Sequence, residues 1–253
     1  MTLIITLIGY FLAWLIVILL TQRFSLTFFY LGLAILLLIL FLIYLLQNPT
    51  LALYPYNFLL ENIYQKKVFY TDQEKKEIFP SSILLEKNWQ KIKQEFLNLK
   101  IQKGNIGQKF IQESDQFWDG WDTYTLRSFS KDQNLEKCPT LAKILKDDPN
   151  ITSAFFSILK PGKTIPSHYG PFKGILRYHL GLIIPKGCFI SVDNQVYEWK
   201  EGEGILFDET YKHFVKNESN YYRVILFIDV KRPLYFPLLN DFLLYLMKIS
   251  TYN

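Results

Sequence analysis

Apolar residues along this chain follow three patterns, and each predicts a different kind of element. The first is continuous: 3–20 is an apolar run without a charge, and 26–46 is a second one. Each has about the 20 residues that a helix needs to cross roughly 30 Å of hydrocarbon, so the pattern predicts two membrane spans. Only Thr21-Gln22-Arg23-Phe24-Ser25 separates them, which suits a helical hairpin. A cleavable leader would need a basic flank and a small-residue cleavage site. Neither motif is found, and a second apolar run follows at once. A hairpin buried in a soluble core is the other reading of these runs, but 36–46 is apolar all round, which argues for lipid.

The second pattern has helical spacing. Gln47-Asn-Pro-Thr50 marks an exit from the apolar runs, and 54–64 is aromatic enough for a membrane interface. Residues Ile83, Leu84, Trp89, Ile92, Phe96 and Leu99 predict a helix over 81–99, begun by a serine cap and stopped near Gly104. A strand is expected over 119–129 and a second helix over 135–148, ended by Asp-Asp-Pro.

The third pattern begins at Ile151, where short strand-like runs alternate with turns. The runs are 152–159, 175–184, 189–192, 196–199, 204–207 and 221–230. The turns include Lys160-Pro-Gly, Pro185-Lys-Gly, Asp193-Asn and Lys200-Glu-Gly-Glu-Gly. Many short strands with regular turns predict a barrel or double-sheet jelly roll, whose mouth is a common place for a small-molecule pocket. The tail 233–248 holds a dense apolar run too short to span a membrane. It reads as an amphipathic helix, docked on a membrane surface or covering a barrel edge.

Composition changes this picture little. The formal net charge is +5, with lysines mixed among acids over 66–109, which reads as a solvated face rather than a nucleic-acid surface. Lys66, Lys67, Lys75 and Lys76 follow the second run, against a single Arg between the runs. The positive-inside bias therefore puts the bulk of the chain in the cytoplasm. Cys138 and Cys188 lack metal or redox spacing and read as reduced and structural. Asn150-Ile-Thr and Asn217-Glu-Ser match the glycosylation pattern, which matters only outside the cytoplasm.

The candidate chemistry lies among the strands. All three histidines, His168, His179 and His213, sit there with Arg177 and Arg223 at fixed offsets. Two neutral imidazoles make a metal site, and two guanidiniums are fitted to hold a dicarboxylate. Iron with 2-oxoglutarate is the pairing that uses both. Arg177 and His179 are two apart and so share one strand face.

The ordered motifs carry a resemblance. They are His-Tyr-Gly-Pro-Phe-Lys-Gly-Ile-Leu-Arg-Tyr-His-Leu-Gly-Leu (168–182), Val-Asp-Asn-Gln-Val-Tyr-Glu-Trp (192–199), Leu-Phe-Asp-Glu-Thr-Tyr-Lys-His (206–213) and Arg-Val-Ile-Leu-Phe-Ile-Asp-Val-Lys-Arg-Pro (223–233). Over roughly 151–233 the chain resembles the aspartyl/asparaginyl β-hydroxylase superfamily of Fe(II)/2-oxoglutarate dioxygenases. It is similar in particular to the bacterial membrane branch that hydroxylates lipid A acyl chains. The resemblance implies His168 and His213 as ligands of Fe(II). It implies Arg177, His179, Arg223 and Ser157 as contacts to 2-oxoglutarate, with O2 as second cosubstrate. The implied reaction is 2-hydroxylation of a lipid A acyl chain at the inner, cytoplasmic membrane. One departure is Gly170, which stands in the third-ligand slot where the lipid A branch carries an acid and the peptide branch a glycine. A water would complete the coordination. Asp208 and Glu209 read as turn or supporting residues rather than as that ligand. Trp118, Trp121 and Tyr124 read as core aromatics more readily than as a substrate groove.

The fold expected is therefore α+β and mainly β: a double-stranded β-helix of jelly-roll or cupin-like form with flanking helices, preceded by a two-helix transmembrane hairpin. The expected division is 1–48 hairpin, 49–150 membrane-proximal and mixed segment, 151–233 β-helix core, and 234–253 amphipathic tail. Alternative functions are hydroxylation of Asp or Asn side chains in a peptide, hydroxylation of another acyl lipid, and an inactive lipid-binding barrel.

Overall fold

Two antiparallel sheets account for the strand-like half of the chain in the computed structural model, which describes residues 2–21, 26–47, 50–99 and 120–252. The turn at 22–25, the exit residues 48–49, Gly104 and Trp118 lie outside these residues. The strands are β1 (Trp121–Ser128), β2 (Lys131–Asp132), β3 (Ile151–Leu159), β4 (Thr164–His168), β5 (Ile175–Ile183), β6 (Cys188–Val192), β7 (Gln195–Glu198), β8 (Gly204–Phe207), β9 (His213–Asn217) and β10 (Arg223–Lys231). Six form one sheet in the order β2-β1-β3-β10-β5-β8, and four form the other, β4-β9-β6-β7. This β-rich architecture with flanking helices is the jelly-roll-like fold expected from the alternation of strands and turns.

The large sheet is buried on both faces, and its sequence shows why. On β5, Leu176, Tyr178, Leu180 and Leu182 point to one side, where they join Phe156, Leu226 and Ile228 in a core with Phe79 and with Leu85, Ile92, Leu141 and Leu145 of the helices. The opposite face carries Ile205, Phe207 and Ile225 into a second core with Ile165, Ile190, Val192 and Val215 of the small sheet. A strand buried on both faces reads as a near-continuous apolar run, which is the pattern of β3, β5 and β10. Arg177 and His179 share the second face of β5, so the parity argued from sequence places them in the space between the sheets.

The helices depart from expectation in detail. After α1 (Thr2–Thr21) and α2 (Leu26–Gln47) come α3 (Thr50–Ile63) and α4 (Asp72–Ile78), a short helix opened by a capping box between Thr71 and Glu74. The single helix expected over 81–99 is two, α5 (Ser81–Lys87) and α6 (Trp89–Asn98). They part at Asn88, whose side-chain amide bonds back to the Leu84 carbonyl at 2.9 Å. Such a bond competes with helix continuation. The second expected helix starts as a 3₁₀ turn, Leu135–Lys137, and becomes α7 (Pro139–Asp147) with proline at its first turn. The last element is α8 (Pro237–Tyr252).

The chain divides into two compact units, Met1–Tyr54 with Tyr245–Asn253, and Pro55–Leu244. The described side chains of the first two helices cover only 6–17, 28–41 and 43–44. Among the described residues no helix is long and apolar enough to cross a membrane.

Candidate active site

The two strands that carry the candidate ligands are ones that the strand reading passed over. β4 (Thr-Ile-Pro-Ser-His) and β9 (His-Phe-Val-Lys-Asn) pair antiparallel, and His168 lies directly opposite His213 in register. Their ring centroids are 4.0 Å apart. Each ring is fixed by the backbone two residues earlier. His168 Nδ1 lies 2.7 Å from the Pro166 carbonyl oxygen and His213 Nδ1 lies 2.8 Å from that of Tyr211. A carbonyl only accepts, so each Nδ1 carries the proton and each Nε2 carries the lone pair. Burial lowers the pKa of both rings, His213 to about 3, and keeps them neutral.

Facing them across the cleft is a set of cationic and polar groups from the large sheet. Arg223, at the start of β10, is 1 % exposed, and its guanidinium lies 5.1 Å from the centre of the Trp199 ring. Among the described residues no carboxylate pairs with it, and its Nε has no hydrogen-bond partner. Burial pushes its pKa down to about 10, which still leaves it charged at neutral pH. Its neighbour in the cleft is Ser157 of β3. Ser157 Oγ accepts from Arg223 Nη1 at 3.2 Å and from Trp121 Nε1 at 2.8 Å. With both lone pairs engaged, the hydroxyl has only its own proton left to offer.

Arg177 differs from Arg223 in being neutralised. It pairs with Glu209 and with Asp229, the latter at 3.0 Å, and stacks over Phe227 at 4.1 Å. His179 is buried with neither ring nitrogen hydrogen-bonded, set among Phe207, Phe227 and Trp199. Burial, with Arg177 and Arg223 nearby, lowers its pKa well below the ordinary value. All six residues expected from sequence thus line one cleft with a cavity of ≈ 40 Å³, walled by Ile165, Ile190, Phe207 and Val215.

Gly170 sits against the Glu209 side chain, and a Cβ there would collide with that carboxylate. The space of a side chain at position 170 is thus taken by an acid from the loop before β9. Burial pushes the Glu209 carboxyl up against the pull of Arg177. Asp208 faces elsewhere, pairing with Arg232 and with Lys173 at 3.3 Å. Both acids pair with basic neighbours, Glu209 with Arg177 and Asp208 with Arg232 and Lys173. Among the described residues no cluster of three His, Cys, Asp or Glu side chains is placed to hold a metal.

Trp121 packs against the second core, as the sequence suggested, and has a further role that the sequence did not show. It lines the cleft and bonds Ser157. Tyr124 does pack in the core, against Phe156. The signal for Trp121 was its place at the start of a strand whose register sets Thr123 opposite Ser157. Asn217 of the second sequon is 1 % exposed and holds the carbonyls of Leu159, Lys160 and Tyr221, so it cannot carry a glycan in this fold.

Comparison with known proteins finds relatives over part of the chain. The ornithine lipid ester-linked acyl 2-hydroxylase of Rhizobium tropici is 43 % identical over 122 residues, covering 46 % of this chain and 43 % of that protein. The human aspartyl/asparaginyl β-hydroxylase is 31 % identical over 159 residues, 59 % of this chain and 21 % of its own length. The chain thus spans less than half the length of either relative. Among solved structures, a 2OG-Fe(II) oxygenase family oxidoreductase from Burkholderia pseudomallei is 14 % identical, with a TM-score of 0.37 over 46 % of this chain and 70 % of its own. Residues 86–233, more than half of this chain, match the aspartyl/asparaginyl β-hydroxylase family, and the chain belongs to it.

Proposed function

We propose that this chain is a membrane-anchored, Fe(II)- and 2-oxoglutarate-dependent hydroxylase acting on an acyl chain of a lipid, lipid A in the first instance. The observation that carries the reading is the pairing inside one cleft: two neutral imidazoles whose rings lie 4.0 Å apart, and a buried guanidinium that meets no carboxylate among the described residues. A metal ion suits the first, and a small dicarboxylate suits the second. The residues present therefore fit both groups. His168 and His213 would hold the iron. Arg223, with the Ser157 hydroxyl proton beside it, would hold the far carboxylate of 2-oxoglutarate, with His179 and Arg177 at its flank. Bound iron and 2-oxoglutarate supply the oxidising chemistry.

The protein's own part is binding, orientation and exclusion of water. The backbone carbonyls of Pro166 and Tyr211 lock the two imidazoles in one tautomer and one orientation. Glu209 and Asp229 hold the Arg177 guanidinium against Phe227, so that it acts as a fixed donor. Trp121 orients Ser157. The wall of Ile165, Ile190, Phe207 and Val215 keeps the cleft apolar around these few polar groups.

Lipid as substrate is supported by the similarity to the acyl 2-hydroxylase and by the first two helices. Helices α1 and α2 have 20 and 22 residues and no charge, and at 1.5 Å per residue each reaches about 30 Å. We read them as a hairpin in the inner membrane, with the lysines after it keeping the catalytic unit on the cytoplasmic side. A second reading, hydroxylation of Asp or Asn in a peptide, is favoured by Gly170 and by the similarity to the human enzyme.

The test is mass spectrometry of total lipids from bacteria that make lipid A and ornithine lipid but do not hydroxylate them, with and without this chain. A gain of one oxygen on an acyl chain, lost in His168→Ala, is expected. Unchanged lipids, with iron-dependent 2-oxoglutarate turnover on an Asp-containing peptide, would replace the lipid reading by the peptide one.

A further inference from the structure

Within the unit Pro55–Leu244, several large apolar side chains are exposed on two segments from its opposite ends. Phe58 and Ile63 of α3 are 71 % and 41 % exposed, and Tyr235 just before α8, with Leu238 and Phe242 in its first turns, are 76 %, 83 % and 55 % exposed. Each segment already has a buried stripe: Tyr56 and Leu60 on α3, and Asn240, Leu243 and Leu244 on α8. Both helices are thus apolar on a second face, which a helix packed on one side alone does not need. Such a face marks an interaction surface rather than stray exposure.

The two segments are locked to each other. Tyr64 stacks on Tyr235 with centroids 5.9 Å apart, its hydroxyl accepts from the Tyr235 amide at 3.2 Å, and Tyr56 donates to Asn240 at 3.2 Å. They are also locked to the catalytic loop. Asn57 donates to the Pro171 carbonyl and accepts from the Lys173 amide, both at 2.8 Å, while Tyr56 stacks on Phe172 at 5.7 Å. Asn240 donates to the Gly174 carbonyl at 3.1 Å, so close that a Cβ at Gly174 would strike it. Segment 171–174 joins His168 to Arg177. The apolar ridge is therefore mounted rigidly on the connection between a candidate iron ligand and a candidate cosubstrate contact.

We infer that this ridge docks on a lipid bilayer interface and fixes the placement of the catalytic loop relative to membrane lipids. The inference rests on reading α1 and α2 as membrane spans. Its occupant follows from continuity and chemistry. Helix α3 begins at Thr50, three residues after α2 ends at Gln47, so the chain enters the ridge directly from an uncharged 22-residue helix. Aromatic rings with polar tips beside long aliphatic side chains are the composition of an interfacial belt. The acid of the α8 segment, Asp241, is tied to Lys231 at 2.6 Å, which limits repulsion from anionic headgroups.

The full chain, reconstituted in phosphatidylcholine/phosphatidylglycerol vesicles, tests this. Native Cys138 and Cys188 are both buried, so cysteines introduced by Phe58→Cys, Leu238→Cys or Phe242→Cys can be labelled selectively with an environment-sensitive dye. Nitroxide phospholipids labelled high on the acyl chain should quench most of the emission at all three positions. They should leave intact a label at Tyr221→Cys, which precedes the far end of the nine-residue β10. A label at Leu37→Cys in α2 reads the anchor separately. Quenching at position 37 without quenching at 58, 238 and 242 would overturn the docking surface and keep the anchor. Absence of quenching at position 37 would overturn the anchor and the inference with it.

Discussion

Arg223 and His213 sit in opposite electrostatic situations, and each gives a sharp expectation. Arg223 is a buried cation whose bonds, among the described residues, are confined to a neutral serine. A hydrogen bond to a charged group contributes about 1.5–3 kcal/mol, so Arg223→Ala should raise the 2-oxoglutarate KM roughly 10- to 150-fold. Steady-state kinetics with varied 2-oxoglutarate reads this directly, and an unchanged KM would remove the assignment. Ser157→Ala should shift the same constant by less, since the serine offers one neutral donor. His213 works through its ordinary, neutral state. Its folded pKa of about 3 lies below the unfolded value of 6.5, so the unfolded chain binds a proton that the folded chain refuses. The stability that this ring contributes to the metal-free protein is therefore full above pH 6.5 and is lost as pH falls from there toward 3, by up to about 1.4 kcal/mol per pH unit. Urea midpoints at pH 7 and pH 5 measure the slope, which His213→Asn should flatten. His168 and the five other predicted cleft residues were legible because chemistry-bearing residues stand out against apolar strands. Trp121 was hidden, because an aromatic residue in a strand carries the same pattern whether it packs or bonds.

At the scale of elements, legibility follows burial. Strands β3, β5 and β10 are covered on both faces and announce themselves as apolar runs. Strands β4 and β9 belong to a sheet with one covered face, and Pro166 or Lys216 interrupts their short runs, so the two strands that bring His168 opposite His213 gave no strand signal. The break at Asn88 was equally invisible, because the apolar spacing continues through it. Asn217 shows how one side chain closes an element: its amide holds three carbonyls where β9 ends. Asn217→Ala should cost about 3 kcal/mol, since buried carbonyls would be left unsatisfied. Thr71→Ala, which removes only the cap of α4, should cost about 1 kcal/mol. Chemical denaturation of the two variants side by side checks the ranking, and equal losses would contradict it.

For the whole molecule, the sequence suggested four segments, 1–48, 49–150, 151–233 and 234–253, whereas the chain forms two compact units, Met1–Tyr54 with Tyr245–Asn253 and Pro55–Leu244. If α1 and α2 span a bilayer, the full chain should stay with the membrane fraction through alkaline carbonate extraction and leave it only in detergent. Release by carbonate would refute the spans. Which substrate is hydroxylated was beyond the sequence, since an apolar wall of Ile165, Ile190, Phe207 and Val215 specifies greasiness and not identity. The guanidinium of Arg223, which meets no carboxylate among the described residues, reaches further than its cleft. A fold that encloses such a charge is held below its full stability until a dicarboxylate arrives, and by mass action the ligand then tightens the whole domain. Resistance to heat and to proteolysis should rise with 2-oxoglutarate even before any metal is added, so that the amount of this protein a cell keeps would follow the carbon supply that feeds its reaction.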